Sequence, residues 1–260
     1  MPFLSAIYVH PIKALDPLEL RSALVLPSGA LKHDREFALL DAENRFINGK
    51  RNQAVHLLRA HYDANVERVT LTFTKEGTTI SARHPLEPGS RRLQRFLQEF
   101  FGFPVTLARN EQSGFPDDTD ASGPTIVSTA TLETVASWFP GLTVDSVRRR
   151  FRANLEISGV PAFWEDRLYG GIGQTVKFRI GQTNFEGVNP CQRCIVPTRD
   201  PLTAEPIPEF DMRFQERRQL TLPEWASRTR FNHYYRLAVN TRAASPTGSA
   251  LIIGQELEIL

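Results

Sequence analysis

Residues 66–74 read VERVTLTFT, and from Val69 onward apolar and polar side chains alternate, so that Val69, Leu71 and Phe73 face one way. A period of two commits a segment to a strand with one buried face. The same signal recurs in short pieces at 3–9, 22–27, 36–41 and 78–83, then at 125–128, 154–158 (NLEIS), 175–180 (TVKFRI) and 250–260 (ALIIGQELEIL). Helical spacing is rarer. Residues 91–101 carry Leu93, Phe96, Leu97, Phe100 and Phe101 as a core-facing stripe, with Ser90 placed to cap it and Gly102 to end it. Further helices are expected at 129–139, with Leu132, Val135 and Trp138 on one side, at 144–151 with Asp145 as cap, and at 210–219. Short strands with about four helices fit a sandwich or barrel better than a βαβ array, so the expected class is mainly β with a few helices, α+β.

A chain of 260 residues can bury one large core or two smaller ones. The polar stretch 109–124, RNEQSGFPDDTDASGP, reads as a linker or long surface loop, and it divides the chain into expected domains at 1–108 and 109–260. Hydrophobic residues make up 41% and charged residues 23%, as in soluble globular proteins, and a net charge of +2 gives no bulk argument for nucleic acid. There is no apolar run long enough to span a membrane, and MPFLSAIYVHPIK lacks the basic start of a secretory signal. Two cysteines cannot make a disulfide framework, and a cytoplasmic, reducing compartment is expected, with both thiols available.

Both cysteines fall in NPCQRCIVPTRDP, residues 189–201. A disulfide between Cys191 and Cys194 would close a loop too short to restrain the chain. Zinc would need about four ligands, and no His pair of suitable spacing accompanies them. A thioredoxin-like pair should open a helix, whereas Ile195-Val196-Pro197 follows. Inert burial remains open, as does a single thiolate on a soft metal, favoured by the charge of Arg193 and completed by a cofactor or solvent. Such a cofactor would need cationic and amide anchors. In RRRFRAN, residues 148–154, Arg148 and Arg149 read as a solvated helix end, while Arg152 and Asn154 flank Ala153 at an apparent strand start and would share a face. Lys13 and the group His33-Asp34-Arg35 are isolated charges on this reading. YGGIGQ, 169–174, precedes a strand and so reads as a turn, not a phosphate loop. Trp164, Glu165 and Asp166 read as a surface loop, with a substrate entrance as the alternative.

Taken together, HPIKAL (10–15), HDREFALLD (33–41), RRFRANLEISG (149–159) and NPCQRCIVPTRDPLT (189–203) resemble, in order and spacing, the MOSC-domain proteins, relatives of the C-terminal domain of molybdenum-cofactor sulfurase. The form with an N-terminal MOSC β-barrel domain fits best, similar to the mitochondrial amidoxime-reducing component and to bacterial reductases of N-hydroxylated bases. The resemblance implies an N-terminal β-barrel-like domain packed on a MOSC β-barrel domain. It implies a molybdenum cofactor (molybdopterin) whose metal is ligated by Cys194, with Cys191 a structural neighbour. Lys13, Arg35, Arg152 and Asn154 match the positions that hold the pterin and its phosphate. Arg193 and Asp200 would shape the motif loop, Asp200 through turn hydrogen bonds, and Ser122 falls where the family contacts the cofactor. Departures from the family pattern are Ala14, Ala121, Ala153 and Ala204. The implied activity is reduction of N-hydroxylated compounds by oxo-transfer. Two cysteines are too few for a Cys₄ iron–sulfur cluster, so a separate electron donor, a ferredoxin or flavin reductase, is expected, with a small-molecule substrate and neither nucleic acid nor membrane as partner. The alternatives are a non-catalytic carrier or sensor of the cofactor, or of sulfur, and sulfur transfer through Cys194. Pyridoxal phosphate enters only as a family-level association, since the half of a sulfurase that would bind it is not expected here.

Overall fold

The computed structural model describes residues 1–244 and 248–260. In chain order the strands and helices are β1 (Phe3–Val9), β2 (Leu18–Leu20), β3 (Ser22–Leu24), β4 (Phe37–Leu40), β5 (Arg59–Tyr62), β6 (Arg68–Lys75), β7 (Thr78–Pro85), α1 (Arg91–Phe101), β8 (Thr106–Arg109), β9 (Ile126–Ser128), α2 (Thr129–Ser137), α3 (Val144–Phe151), β10 (Leu155–Ser158), β11 (Val176–Ile180), β12 (Thr183–Gln192), α4 (Phe210–Leu220), β13 (Arg236–Ala243), β14 (Ala250–Ile252) and β15 (Leu257–Ile259). The chain is mainly β with four α-helices among the described residues, as the alternation predicts.

One sheet of eight strands, in the order β15-β11-β12-β13-β9-β10-β1-β2, dominates. It returns on itself. β1 pairs with β10 along its length, yet at its start Phe3 bridges Glu256, the Leu4 amide donates to the Gln255 carbonyl at 2.8 Å, and Leu257 donates to Pro2 at 3.0 Å. This brings β1 to the β15 edge and gives the sheet the curvature of a barrel. The interior is filled by alternate residues of its strands, among them Leu4, Ile7, Leu155, Phe178, Phe185 and Val239. At Gly187 on β12 only a hydrogen fits, because a Cβ there would lie 1.7 Å from the Leu168 carbonyl oxygen.

A second core belongs to the N-terminal half. The meander β5-β6-β7 presents Val69, Leu71 and Phe73 to α1, whose Leu93, Phe96 and Leu97 are buried; the rings of Phe73 and Phe96 meet edge-on at 5.2 Å. Gly102 ends α1 in the left-handed region, as its sequence position predicts, while Ser90 sits at the N-cap without a side-chain hydrogen bond. A third core joins α2, α3 and α4 through Val135, Val147, Phe151, Phe210 and Phe214, and it reaches Cys191.

The two halves do not separate at one point of the chain. β1 lies in the large sheet, β3 pairs with β14, and Val25 and Leu31 pack in the barrel core. The first thirty or so residues therefore cross over, and the second core begins with Ile12 and Leu15 in the turn between β1 and β2.

Three local expectations are corrected. Thr143, not Asp145, caps α3, its hydroxyl accepting from the Ser146 amide, while Asp145 pairs with Arg149 at 2.8 Å. Arg148 is not a solvated helix end, because it pairs with the buried Glu156 on β10. Residues 164–166 form neither a surface loop nor an entrance. They start a 3-10 turn, Trp164–Leu168, in which Glu165 and Asp166 are buried. Asp166 is neutralised by Arg218 of α4, whose guanidinium lies between the rings of Phe163 at 4.2 Å and Phe231 at 5.2 Å. Glu165 accepts from the Thr131 hydroxyl at 3.0 Å, and its Oε1 is buried without a hydrogen-bond partner among the described residues.

Burial, with the neighbouring Asp166, pushes the Glu165 carboxyl up to about 7. Its folded value lies above its unfolded one of 4.5, so the unfolded chain loses its proton first. The group costs nothing below that value, and stability is lost as the pH rises from there to about 7. Substituting Glu165→Gln should change stability little near pH 4 and raise it by about 3 kcal/mol relative to the parent above pH 7.5, read by urea unfolding at both values. A difference independent of pH would contradict this account.

Candidate functional site

The crossing of β1 between the halves leaves an open cavity of about 920 Å³ where the segment 30–35, the segment 113–125, the end of α3 and the loop after β12 converge. A smaller cavity of about 190 Å³ opens beside it. The two share Arg35, Lys50, Arg152, Arg193 and Cys194 in their walls, so Cys194 stands at the junction.

The motif loop is shaped by its arginine. β12 ends at Gln192 with a register irregularity between Pro190 and Gln192. The Arg193 side chain then folds inward, donating to the carbonyls of Leu237 at 2.9 Å and Phe151 at 3.0 Å over the Phe151 ring. This turns Cys194 toward the cavity side of the loop, where it is partly exposed and free. Cys191 is also free but buried. Its thiol donates to Asn240 Oδ1 at 2.7 Å, and burial pushes it up to about 11, so it stays protonated. No disulfide joins the two, and among the described residues no group of three or more His, Cys, Asp and Glu side chains is placed to hold a metal ion. Asp200 does not line either cavity. It accepts from the amides of Leu202 and Thr203 at 2.9 and 3.0 Å and pairs with Arg150, which in turn donates to the Pro197 carbonyl at 3.0 Å; this is the turn-bonding role expected of it.

The cations arrive from distant segments. The Arg35 amide donates to His10 O at 2.9 Å, and its guanidinium pairs with Asp34. Arg152 is in the left-handed region with φ 55°, as the residue that ends α3. It is not at a strand start, so the alternation argument for it fails, although it and Asn154 do line the same cavity. Arg152 donates to the Leu15 carbonyl at 2.6 Å and has no carboxylate partner among the described residues. Burial, then the nearby charge of Arg35, pulls it down to about 10, so it remains a cation at neutral pH. Ala14, His33, Arg35 and Arg152 all have φ between 52° and 74°, a concentration of left-handed backbone that marks a geometrically determined site.

Other expected anchors are otherwise engaged. Lys13 donates to the carbonyls of Phe115 at 2.8 Å and Pro116 at 3.3 Å and pairs with Asp117 at 2.8 Å, so its ammonium holds the segment 115–117. That segment is therefore no free linker. It is pinned to the turn after β1, and further along the Ser122 hydroxyl donates to Ser28 O at 2.6 Å at the cavity wall. Asn154 spends its amide on two segments, donating to Tyr8 O at 3.0 Å and accepting from the Thr125 amide and hydroxyl at 3.1 Å. It positions the walls and is not free to grip a ligand.

Sequence reasoning missed Lys50, Arg199 and His56 in the smaller cavity. Arg199 lies inside the motif loop and donates to Gly49 O, which sets the Asn48-Gly49-Lys50 turn over that cavity. The His56 ring is held neutral, its value lowered to about 4 by burial and by Arg152 and Arg199. YGGIGQ is a turn, as expected, but its tip Ile172 stands at the cavity wall.

A free sulfur donor beside Lys50, Arg152 and Arg199, cations that take part in no ion pair among the described residues, fits a ligand carrying both a soft metal and phosphate. The family model of the MOSC N-terminal beta barrel domain matches residues 1–106, and that of the MOSC domain matches residues 120–246. No curated protein matches the chain. Among the described residues no helix is long and apolar enough to cross a membrane.

The unlike surroundings of the two thiols predict unlike reactivity. In cofactor-free protein at pH 8, one thiol should react rapidly with an aromatic disulfide reagent and the second only on unfolding. Cys194→Ser should abolish the rapid phase, and Cys191→Ser should keep it. Two rapid thiols, or a rapid phase surviving in Cys194→Ser, would reject the assignment.

Proposed function

Since the chain belongs to the MOSC-domain proteins that carry the MOSC N-terminal β-barrel domain, we propose that it is a molybdenum-cofactor oxidoreductase that reduces N-hydroxylated compounds. The observation that carries this reading is the placement of Cys194, an unpaired and reachable sulfur at the junction of two cavities whose shared wall holds Arg35 and Arg152.

The residues present fit the cofactor. Arg152 has no carboxylate partner among the described residues, and Nε2 of His56, in the wall of the smaller cavity, is buried without a hydrogen-bond partner among them, as expected of a cradle built for a polar ligand. Arg35, Arg152, Lys50 and Arg199 would hold its phosphate, and Cys194 would ligate its metal. When bound, the cofactor supplies a two-electron oxo-transfer centre, and a separate ferredoxin or flavin reductase would refill it.

The chain's own part is to hold and to orient. Arg193, fixed by two carbonyls, keeps positive charge next to Cys194 in the motif loop. Cys191 keeps its proton on Sγ and does not compete as a ligand. Lys13 secures the segment 115–117 that forms one wall, and Asn154 locks β1, β9 and β10 under it. The cavity remains open to solvent, which supplies the protons that N–O reduction consumes.

In protein loaded with molybdenum cofactor, Cys194→Ser should abolish reduction of an N-hydroxylated base by at least about a hundredfold, with the pterin still bound. Full activity in that variant would reject the reading. Bound molybdenum without turnover in the parent protein would favour a carrier.

A further inference from the structure

The part of the large cavity that does not open into the smaller one has a wall of its own, and two arginines dominate it. Arg230 donates to the carbonyls of Gly170 at 3.1 Å, Gln174 at 3.1 Å and Val188 at 2.9 Å. Arg236, at the start of β13, donates to Pro190 O at 3.2 Å and Asn232 Oδ1 at 2.7 Å. Neither takes part in an ion pair among the described residues. The Arg236 Nε is buried with no hydrogen-bond partner. Two like charges are thus held near one another by carbonyl and amide oxygens alone, and each lowers the cost of bringing an anion between them. The mutual repulsion shows in Arg236, which is pulled below its ordinary value by burial and by Arg230.

These arginines are separate from the cradle around Arg35 and Arg152. None of Ile172, Thr229, Arg230, Asn232 and Arg236 lines the smaller cavity, whereas Cys194 lines both. The large cavity therefore has a cationic cradle on one side of Cys194 and an unneutralised guanidinium pair on the other. Of the acids in its wall, Asp34 pairs with Arg35 and Asp117 with Lys13, while Asp118 accepts from the Asn240 amide at 3.4 Å. Ile172, 75% exposed at the tip of the 169–174 turn, adds an apolar surface beside the pair.

We propose that Arg230 and Arg236 form an anion subsite for the substrate, so that the N-hydroxylated compound reduced here carries a carboxylate or phosphate group, with its apolar body against Ile172. This rests on the reductase reading for its substrate class, and the test separates the two. In the cofactor-loaded protein, reduction of an aryl amidoxime is compared with that of its para-carboxy and para-phosphonate analogues. The charged analogues should be favoured by about tenfold or more in kcat/KM, expressed in KM, and the stronger of them identifies the oxyanion. Asn232→Asp places a carboxylate on the atom that already accepts from Arg236, in an exposed side chain, and should bring the ratio of charged to uncharged substrate to about one; Arg236→Gln should do the same. No preference in the parent protein, or a preference unchanged in both variants, overturns the proposal. Calorimetry of para-amidinobenzoate against benzamidine on the same loaded protein needs no turnover. A preference for the carboxylate there, without reduction of any amidoxime, keeps the subsite and rejects the reductase. Reduction without any such preference does the reverse.

Discussion

The arrangement depends on one strand being lent from one half of the chain to the other. β1 hydrogen-bonds to β10 on one side and β2 on the other, and at its start reaches the segment before β15. Asn154 fixes this crossing chemically. Its side chain bonds to Tyr8 on β1 and to Thr125 just before β9, while its own carbonyl accepts from Tyr8 at 2.7 Å. Because β1 ends there, the turn that carries His10, Lys13 and Ala14 must leave the barrel at the same place and enter the second core at Ile12. The cavity is the space this departure leaves between the two cores.

The charges at the site follow from that geometry. A cationic side chain can be buried when carbonyls or carboxylates surround it. Lys13 arrives with partners in the segment it ties down, and Arg35 with the carboxylate of the adjacent Asp34. Arg152, Arg199 and Arg193 instead lean on backbone carbonyls, which leaves their charge uncompensated. The site thus has two kinds of cation, those with a carboxylate beside them and those held by carbonyls alone, and sequence alone cannot tell them apart.

Much of the architecture was legible because local periodicity and burial agree. Val69, Leu71 and Phe73 face the core their alternation assigns them, and α1 spans the residues its stripe predicts. The motif around Cys194 was legible for a similar reason, since two prolines and an arginine restrict what that loop can do. Other features were hidden by long-range pairing. The polar composition of 109–124 is that of a linker, yet it is ordered by Lys13 from a turn about a hundred residues earlier. Glu165 and Asp166 look like surface residues because nothing nearby in sequence reveals Arg218 or Thr131. Arg152 closes a helix in the left-handed region, a conformation that sequence alternation cannot signal.

The central claim is that the Cys194 sulfur is a ligand of the metal. X-ray absorption at the molybdenum edge of the loaded protein tests it directly. The account predicts that the number of sulfur neighbours of the metal falls by one in Cys194→Ser and is unchanged in Cys191→Ser. An unchanged number in Cys194→Ser, or a loss in Cys191→Ser instead, would contradict it.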